Sequence, residues 1–209
     1  MKRLLSLLMV AILLAGCTAG STRPTGSTGG QNPARPTIQP STQPTTEKMP
    51  NSFTGLGGKM PELKVSCADG RTLLISELLQ EKELIVLNFW FQNCGWCLKE
   101  FPVLELAYQK YQDNVEILAL NGTDGADAVK AFAQKYRLSI PLAACSPTLP
   151  RNCGVRAYPT SIFIDRNGVV CLIHVGAITT SQAWETLFDA FVGESYSQTI
   201  YTNAGQILG

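Results

Sequence analysis

The chain has 209 residues, of which 45% are hydrophobic and 16% charged, and a formal net charge of +1. That balance, with no basic cluster, gives no support to nucleic-acid binding. Seven cysteines and a single histidine point to thiol chemistry in an oxidising compartment and leave a metal site poorly supplied with ligands. No internal repeat is seen.

Met1-Lys2-Arg3 precede an apolar run from Leu4 to Leu14, followed by small residues. A basic head, a short apolar core and a small-residue cleavage point predict a secretory signal over residues 1–16. The run falls short of the about 20 apolar residues of a membrane span. Leu14-Ala15-Gly16-Cys17 matches the lipobox of bacterial lipoproteins. That match implies cleavage before Cys17 and diacylglyceryl attachment to its sulfur, which anchors the mature chain to the outside of a bacterial membrane. An ordinary signal peptide that happens to contain a cysteine is the alternative. Residues 17–50 are rich in Ser, Thr, Gly, Pro and Gln and cannot bury a core, so they predict a disordered tether reaching about 30 Å. An O-glycosylated stalk fits the same composition. The remaining roughly 150 residues suffice for one domain, placed at residues 51–193, with a polar tail over 194–209.

Within the domain, Leu63–Val65 and Leu73–Leu74 flank Asp69-Gly70, a hairpin signal. Ser76–Leu79 reads as a short helical turn. Leu84–Phe91 (LIVLNFWF) is a buried parallel strand by its branched and aromatic content. Leu98, Phe101, Leu104, Ala107, Tyr108 and Tyr111 then recur at helical spacing. Strand Val115–Asn121 completes a right-handed βαβ unit. Asp127–Tyr136 is an amphipathic helix. Ser161–Asp165 and Val169–Val175 are strands joined through Arg166-Asn167-Gly168, where Asn-Gly supplies positive φ angles. Ser181 caps a last helix ending at Phe191.

The chemistry is concentrated in Cys94-Gly95-Trp96-Cys97, where the apolar strand gives way to the helix. A cysteine at a helix N-terminus lies over unsatisfied backbone N–H groups and the positive end of the dipole, which favour thiolate and make Cys94 a nucleophile. Cys97, one turn in, is placed to attack a mixed disulfide and release product. A zinc site lacks a second CxxC or a histidine pair, His174 being the single histidine and a strand residue. A purely structural disulfide fits poorly with an exposed strand-to-helix turn. Glu100 shares a helix face with Cys97 and can take or return its proton; a solvated surface glutamate is the alternative. Pro102 should kink the helix and free a carbonyl one turn earlier.

The order βαβ, helix, β-hairpin, helix is thioredoxin topology: an α/β fold with a central mixed sheet flanked by helices, here with an N-terminal β-hairpin extension. From about Met60 to Val192 the chain resembles the extracytoplasmic TlpA/ResA type of thioredoxin-like thiol–disulfide oxidoreductase. The resemblance is carried by Val86-Leu87-Asn88-Phe89-Trp90, Cys94-Gly95-Trp96-Cys97, Lys99-Glu100-Phe101-Pro102, Val155-Arg156-Ala157-Tyr158-Pro159-Thr160 and Ile164-Asp165-Arg166-Asn167-Gly168. It implies a proton-handling role for Glu100. Asn88 stands where thioredoxins carry a buried aspartate, which raises the weight on Glu100. It also implies a cis Tyr158–Pro159 bond facing the two cysteines, against which an extended substrate pairs like an added strand. Tyr158 and Trp96 then shape the substrate surface. By the same resemblance the partners are disulfide-bearing proteins, with apocytochrome c or a methionine sulfoxide reductase as clients and a membrane thiol transporter as electron donor; no cofactor is implied.

Cys145 and Cys153 flank Ser146–Pro150 and admit two readings, a structural disulfide, worth roughly 2–3 kcal/mol in a loop-entropy model, or a second redox pair. Pro150 argues against a regular helix between them, which would hold them apart. Cys67 and Cys171 fall at opposite sides of a thioredoxin sheet and are expected as buried, inert thiols. Three rival functions remain open: disulfide oxidation or isomerisation by the same dithiol, peroxide reduction, and non-catalytic binding by a lipoprotein. Peroxide reduction usually needs Thr-x-x-Cys, and the corresponding positions here are Phe91 and Cys94.

Overall fold

The structure is a computed structural model and describes residues 53–193. The signal segment, Cys17, the tether before residue 53 and the tail from residue 194 lie outside the described residues. No helix among the described residues is long and apolar enough to cross a membrane.

A two-stranded antiparallel hairpin, β1 (Lys64–Ser66) and β2 (Thr72–Leu74), opens the domain and turns at Gly70 with φ +93°. Helix α1 (Ile75–Glu81) leads into β3 (Leu84–Phe89), the central strand, whose six residues are all buried. Helix α2 (Gly95–Tyr111), β4 (Val115–Asn121), α3 (Ala126–Tyr136) and β5 (Leu142–Ala144) follow. A short helix α4 (Thr148–Asn152) precedes the hairpin β6 (Thr160–Asp165) and β7 (Val170–Val175), and α5 (Ser181–Phe191) packs last. The main sheet has the order β5-β4-β3-β6-β7. The β3–β4 and β4–β5 pairs are parallel; β3–β6 and β6–β7 are antiparallel.

Two successive parallel steps in one direction put both crossover helices, α2 and α3, on the same face when each crossover is right-handed. Alternation along β3 then divides the core. Leu84, Val86 and Trp90 join the cluster containing Phe101, Phe132, Trp184 and Phe188 from α2, α3 and α5. Ile85, Leu87 and Phe89 join the opposite cluster with Val65, Ile75 and Leu149 from the hairpin, α1 and α4. Asn88 falls in the first row, facing the helix that carries the cysteines.

Several expectations shift. Strand β3 ends at Phe89, so Trp90 and Phe91 belong to the connection into α2. The β6–β7 turn uses one positive φ, at Gly168 (+72°), with Asn167 outside that region. Gly168 N–H donates to Asp165 O, and the buried Asp165 carboxylate accepts from Asn167 and Val169 N–H at 3.0 and 2.7 Å. This is a type I turn followed by a glycine bulge rather than an Asn-Gly turn with two positive φ angles. The cap of α5 is Thr180, whose Oγ1 accepts from Ala183 N–H, one residue before Ser181. Strand β5 and helix α4 were not anticipated. The first is three residues without a period. The second contains Pro150 at its third position, where the missing N–H is one that a helix leaves unsatisfied anyway.

Candidate active site

The end of β3 and the start of α2 are joined by Trp90 to Cys94. Cys94 N–H donates to Phe91 O at 3.1 Å, and Cys94 is the residue that caps α2. Its Sγ accepts from Cys97 N–H at 3.1 Å, and its carbonyl accepts from Leu98 N–H. One sulfur therefore sits over the donors that a helix start leaves free. Cys94 and Cys97 are joined as a disulfide, with Cα atoms 5.2 Å apart. Exposure is asymmetric and smaller than an open turn suggests: Cys94 keeps 5% of its surface and Cys97 1%. The cap geometry tucks Cys94 Sγ against the helix, while Trp96 between them is 58% exposed. Lys99 Nζ lies 4.2 Å from the Trp96 ring centroid, a cation–π contact on the surface beside the disulfide.

The opposing wall comes from the chain before β6. The Tyr158–Pro159 peptide bond is cis. Thr160 pairs with Phe89 in the β3–β6 register, which sets the Tyr158-Pro159 segment beside the connection that carries Phe91. The Phe91 and Tyr158 rings meet edge to face at 5.3 Å. The structure thus brings together the two loops that the sequence places 64–67 residues apart, from Cys94 and Phe91 to Tyr158.

Glu100 is not a surface residue. It is 2% exposed on the inner face of α2, one turn past Cys97. Its Oε2 accepts from Asn88 Nδ2 at 2.9 Å and its Oε1 from Ile178 N–H at 2.9 Å. Burial raises its pKa to about 7, with the Ile178 and Asn88 donors working in the opposite direction. A carboxyl that changes charge near neutrality, on the same helix face as the inner cysteine, is suited to acid–base work.

A second polar group escaped the sequence reading. Asp124 Oδ2 accepts from Gln92 N–H at 2.7 Å and from Asn121 Nδ2 at 2.8 Å, while Asn121 Oδ1 accepts from Thr123 and Asp124 N–H. Gln92 Nε2 also donates to Ala128 O. The turn after β4 thereby holds the residues that lead into Cys94. Its signal was the cluster Asn121-Gly122-Thr123-Asp124, which reads locally as a loop and says nothing about its contact 32 residues away.

Among the described residues, the other four cysteines, Cys67, Cys145, Cys153 and Cys171, are free thiols. Cys145 and Cys153 are not bridged, which departs from the disulfide expected of them. Helix α4 stands between the two, with Cys153 as its C-terminal cap, and Pro150 does not prevent it. Burial pushes both thiols up to about 12. Cys67 follows β1, whose hairpin meets β5 through Ala68 N–H to Leu142 O. Cys171 lies in β7 at the other edge of the sheet, buried, with its thiol likewise raised mainly by burial. His174 is half-buried on β7.

A cysteine pair at a helix start, on a loop whose Phe91 meets Tyr158 of a cis-proline segment, defines on this fold a thioredoxin-like thiol–disulfide oxidoreductase. The chain belongs to the AhpC/TSA family, whose model matches residues 56–173. It is 28% identical to the thioredoxin-like protein YneN of Bacillus subtilis, over 63% of this chain and 78% of that protein. It is 33% identical to the thiol–disulfide oxidoreductase ResA of Bacillus cereus, over 61% of this chain and 73% of that one. Among solved structures, a Chlorobium tepidum protein described as a thiol:disulfide interchange protein, DsbE, is 28% identical with a TM-score of 0.58, covering 66% of this chain and 97% of its own. The enzyme class and the thioredoxin-like fold follow from these likenesses.

Proposed function

We propose that this protein is an extracytoplasmic thiol–disulfide oxidoreductase, anchored through a lipid on Cys17, that reduces disulfides in partner proteins. In the reduced enzyme, Cys94 thiolate attacks one sulfur of the substrate disulfide. A bond forms from Cys94 Sγ to that sulfur, and the other sulfur leaves as a thiolate. Cys97, deprotonated by Glu100, then attacks Cys94 Sγ and releases the first substrate sulfur. The substrate gains two electrons and the enzyme returns to the Cys94–Cys97 disulfide. Trp96, Tyr158 and Pro159 form the surface on which an extended segment lies.

The observation that carries this reading is the buried Glu100 carboxyl, held by Asn88 and Ile178 N–H one turn from the inner cysteine. Cys94, exposed at 5% beside Cys97 at 1%, is the more accessible residue of the pair, which supports the order of attack. Reduction over oxidation is what the resemblance to TlpA/ResA-type proteins implies. Apocytochrome c and a methionine sulfoxide reductase are the proposed clients, and a membrane thiol transporter the proposed source of electrons. The deciding experiment is the equilibrium reduction potential of Cys94–Cys97 against glutathione and dithiothreitol. A value near that of thioredoxin, about −270 mV, supports reduction; one near the oxidant DsbA, about −120 mV, overturns it.

A further inference from the structure

The polar cluster beneath the disulfide extends beyond Glu100. Across the sheet, Asn88 is flanked by Ala119 on β4 and Ser161 on β6. Asn88 and Ser161 are each 1% exposed, set between the apolar layers of β3 and β6. A buried amide costs stability unless its donors are used. Both Asn88 Nδ2 hydrogens are used, one toward Glu100 Oε2 at 2.9 Å and one toward Ser161 Oγ at 3.0 Å. A valine or leucine would continue the apolar row without that cost, so the carboxamide serves the carboxylate it touches.

Building on the reading of Glu100 as the proton acceptor of Cys97, we propose that Asn88 is the positioning residue for that carboxylate, with Ser161 fixing the amide so that it donates to Glu100 and stabilises its ionised form. A neutral donor does this without adding charge. Ile178 N–H does the same at the second oxygen. Burial opposes ionisation, and these two donors favour it. Helix α2 carries Cys97, with Cys94 at its cap and Lys99 outward over Trp96. Its further buried groups have partners of their own, Glu105 with Ser139 and Ile140 N–H and Tyr108 with Glu116 on β4. Strand β7 carries Cys171 and His174, the latter paired with Ser161. Strand β4 contributes Ala119, and α5 meets this face through Trp184, Leu187 and Phe188.

The test is a carbon NMR titration of glutamate side-chain carboxyls in the intact oxidised protein, with Glu100→Gln identifying the signal. Asn88→Ala should raise the Glu100 midpoint by about one unit, because a hydrogen bond to a charged group is lost. Asn88→Asp keeps the shape and leaves no cavity. It should raise the midpoint further and split the titration into two steps, as for any pair of touching carboxylates. Ser161→Ala, which frees the amide, should give a smaller rise. In the reduced enzyme, the pH inflection of insulin reduction should move with the midpoint. An unmoved midpoint in Asn88→Ala and Asn88→Asp overturns the assignment. A midpoint that moves while the activity profile stays fixed upholds Asn88 as the group that orients the carboxylate and removes Glu100 from the exchange reaction.

Discussion

Two cysteine pairs in this domain, Cys94/Cys97 and Cys145/Cys153, are placed against a helix in opposite ways. The first lies within one helical turn, at the cap and third residue of α2, so both sulfurs share one helix end and can bond. The second straddles α4, with Cys145 before the helix and Cys153 at its far end. Helix α4 runs between the second pair, which stays unbridged, while the first pair is bonded within one turn. Environment follows placement. Cys94 caps a helix start, where backbone donors face its sulfur, whereas Cys145 and Cys153 are pushed up to about 12 by burial.

The largest effect that can break this comparison is on turnover. Cys94→Ser should lower insulin reduction by at least about a thousand-fold, whereas Cys145→Ser and Cys153→Ser should each stay within about twofold of the parent. Comparable losses in both pairs would make the second pair catalytic. Alkylation sharpens the contrast. In reduced protein at pH 8, Cys145 and Cys153 should react with iodoacetamide at least about 100-fold more slowly than Cys94, since a thiol titrating near 12 is almost wholly protonated there.

The third test concerns the carboxyl beneath the active pair. Glu100 has a folded pKa raised to about 7 from 4.5. Below pH 4.5 both folded and unfolded forms are protonated. Between 4.5 and 7 the unfolded chain releases the proton first, so stability falls as pH rises through this window and levels off above 7. The loss is about 3 kcal/mol. Urea unfolding of the oxidised protein should show Glu100→Gln gaining on the parent by that amount from pH 4.5 to 8. A difference independent of pH would mean that Glu100 titrates normally. A smaller effect tests the turn behind Pro150. Gly122→Ala places a Cβ 2.8 Å from Pro150 Cγ, and should cost roughly 1–2 kcal/mol by pushing α4 outward.

What could be read from sequence follows the length and regularity of each element. Leu84–Phe89, Val115–Asn121 and α2 carry long, one-character patterns: Val115–Asn121 matches to the residue, the expected Leu84–Phe91 overruns its strand by two, and the helical spacing from Leu98 to Tyr111 falls within α2. The cysteine pair needed no more than spacing and its place at a strand-to-helix junction. Strand β5 and helix α4 are three and five residues long, too short for any period, and Pro150 disguised a helical first turn. The cradle of Glu100 was hidden for a different reason. Asn88, Ser161 and Ile178 are 12, 61 and 78 residues from Glu100 in the chain, and their convergence depends on strand register and on which face of β3 an even-numbered residue takes. The Gln92–Asp124 contact is of the same kind. Local pattern locates the cysteine pair; tertiary register supplies the groups that surround the Glu100 carboxyl.

Cys94 is proposed as the sulfur that meets substrate and Cys97 as the one that resolves. Intact-mass measurement of Cys97→Ser and Cys94→Ser after mixing with a peptide disulfide of known mass tests this directly. Peptide retained covalently on Cys97→Ser, and none on Cys94→Ser, is the predicted result. Adducts on Cys94→Ser alone, or on neither variant, would contradict it.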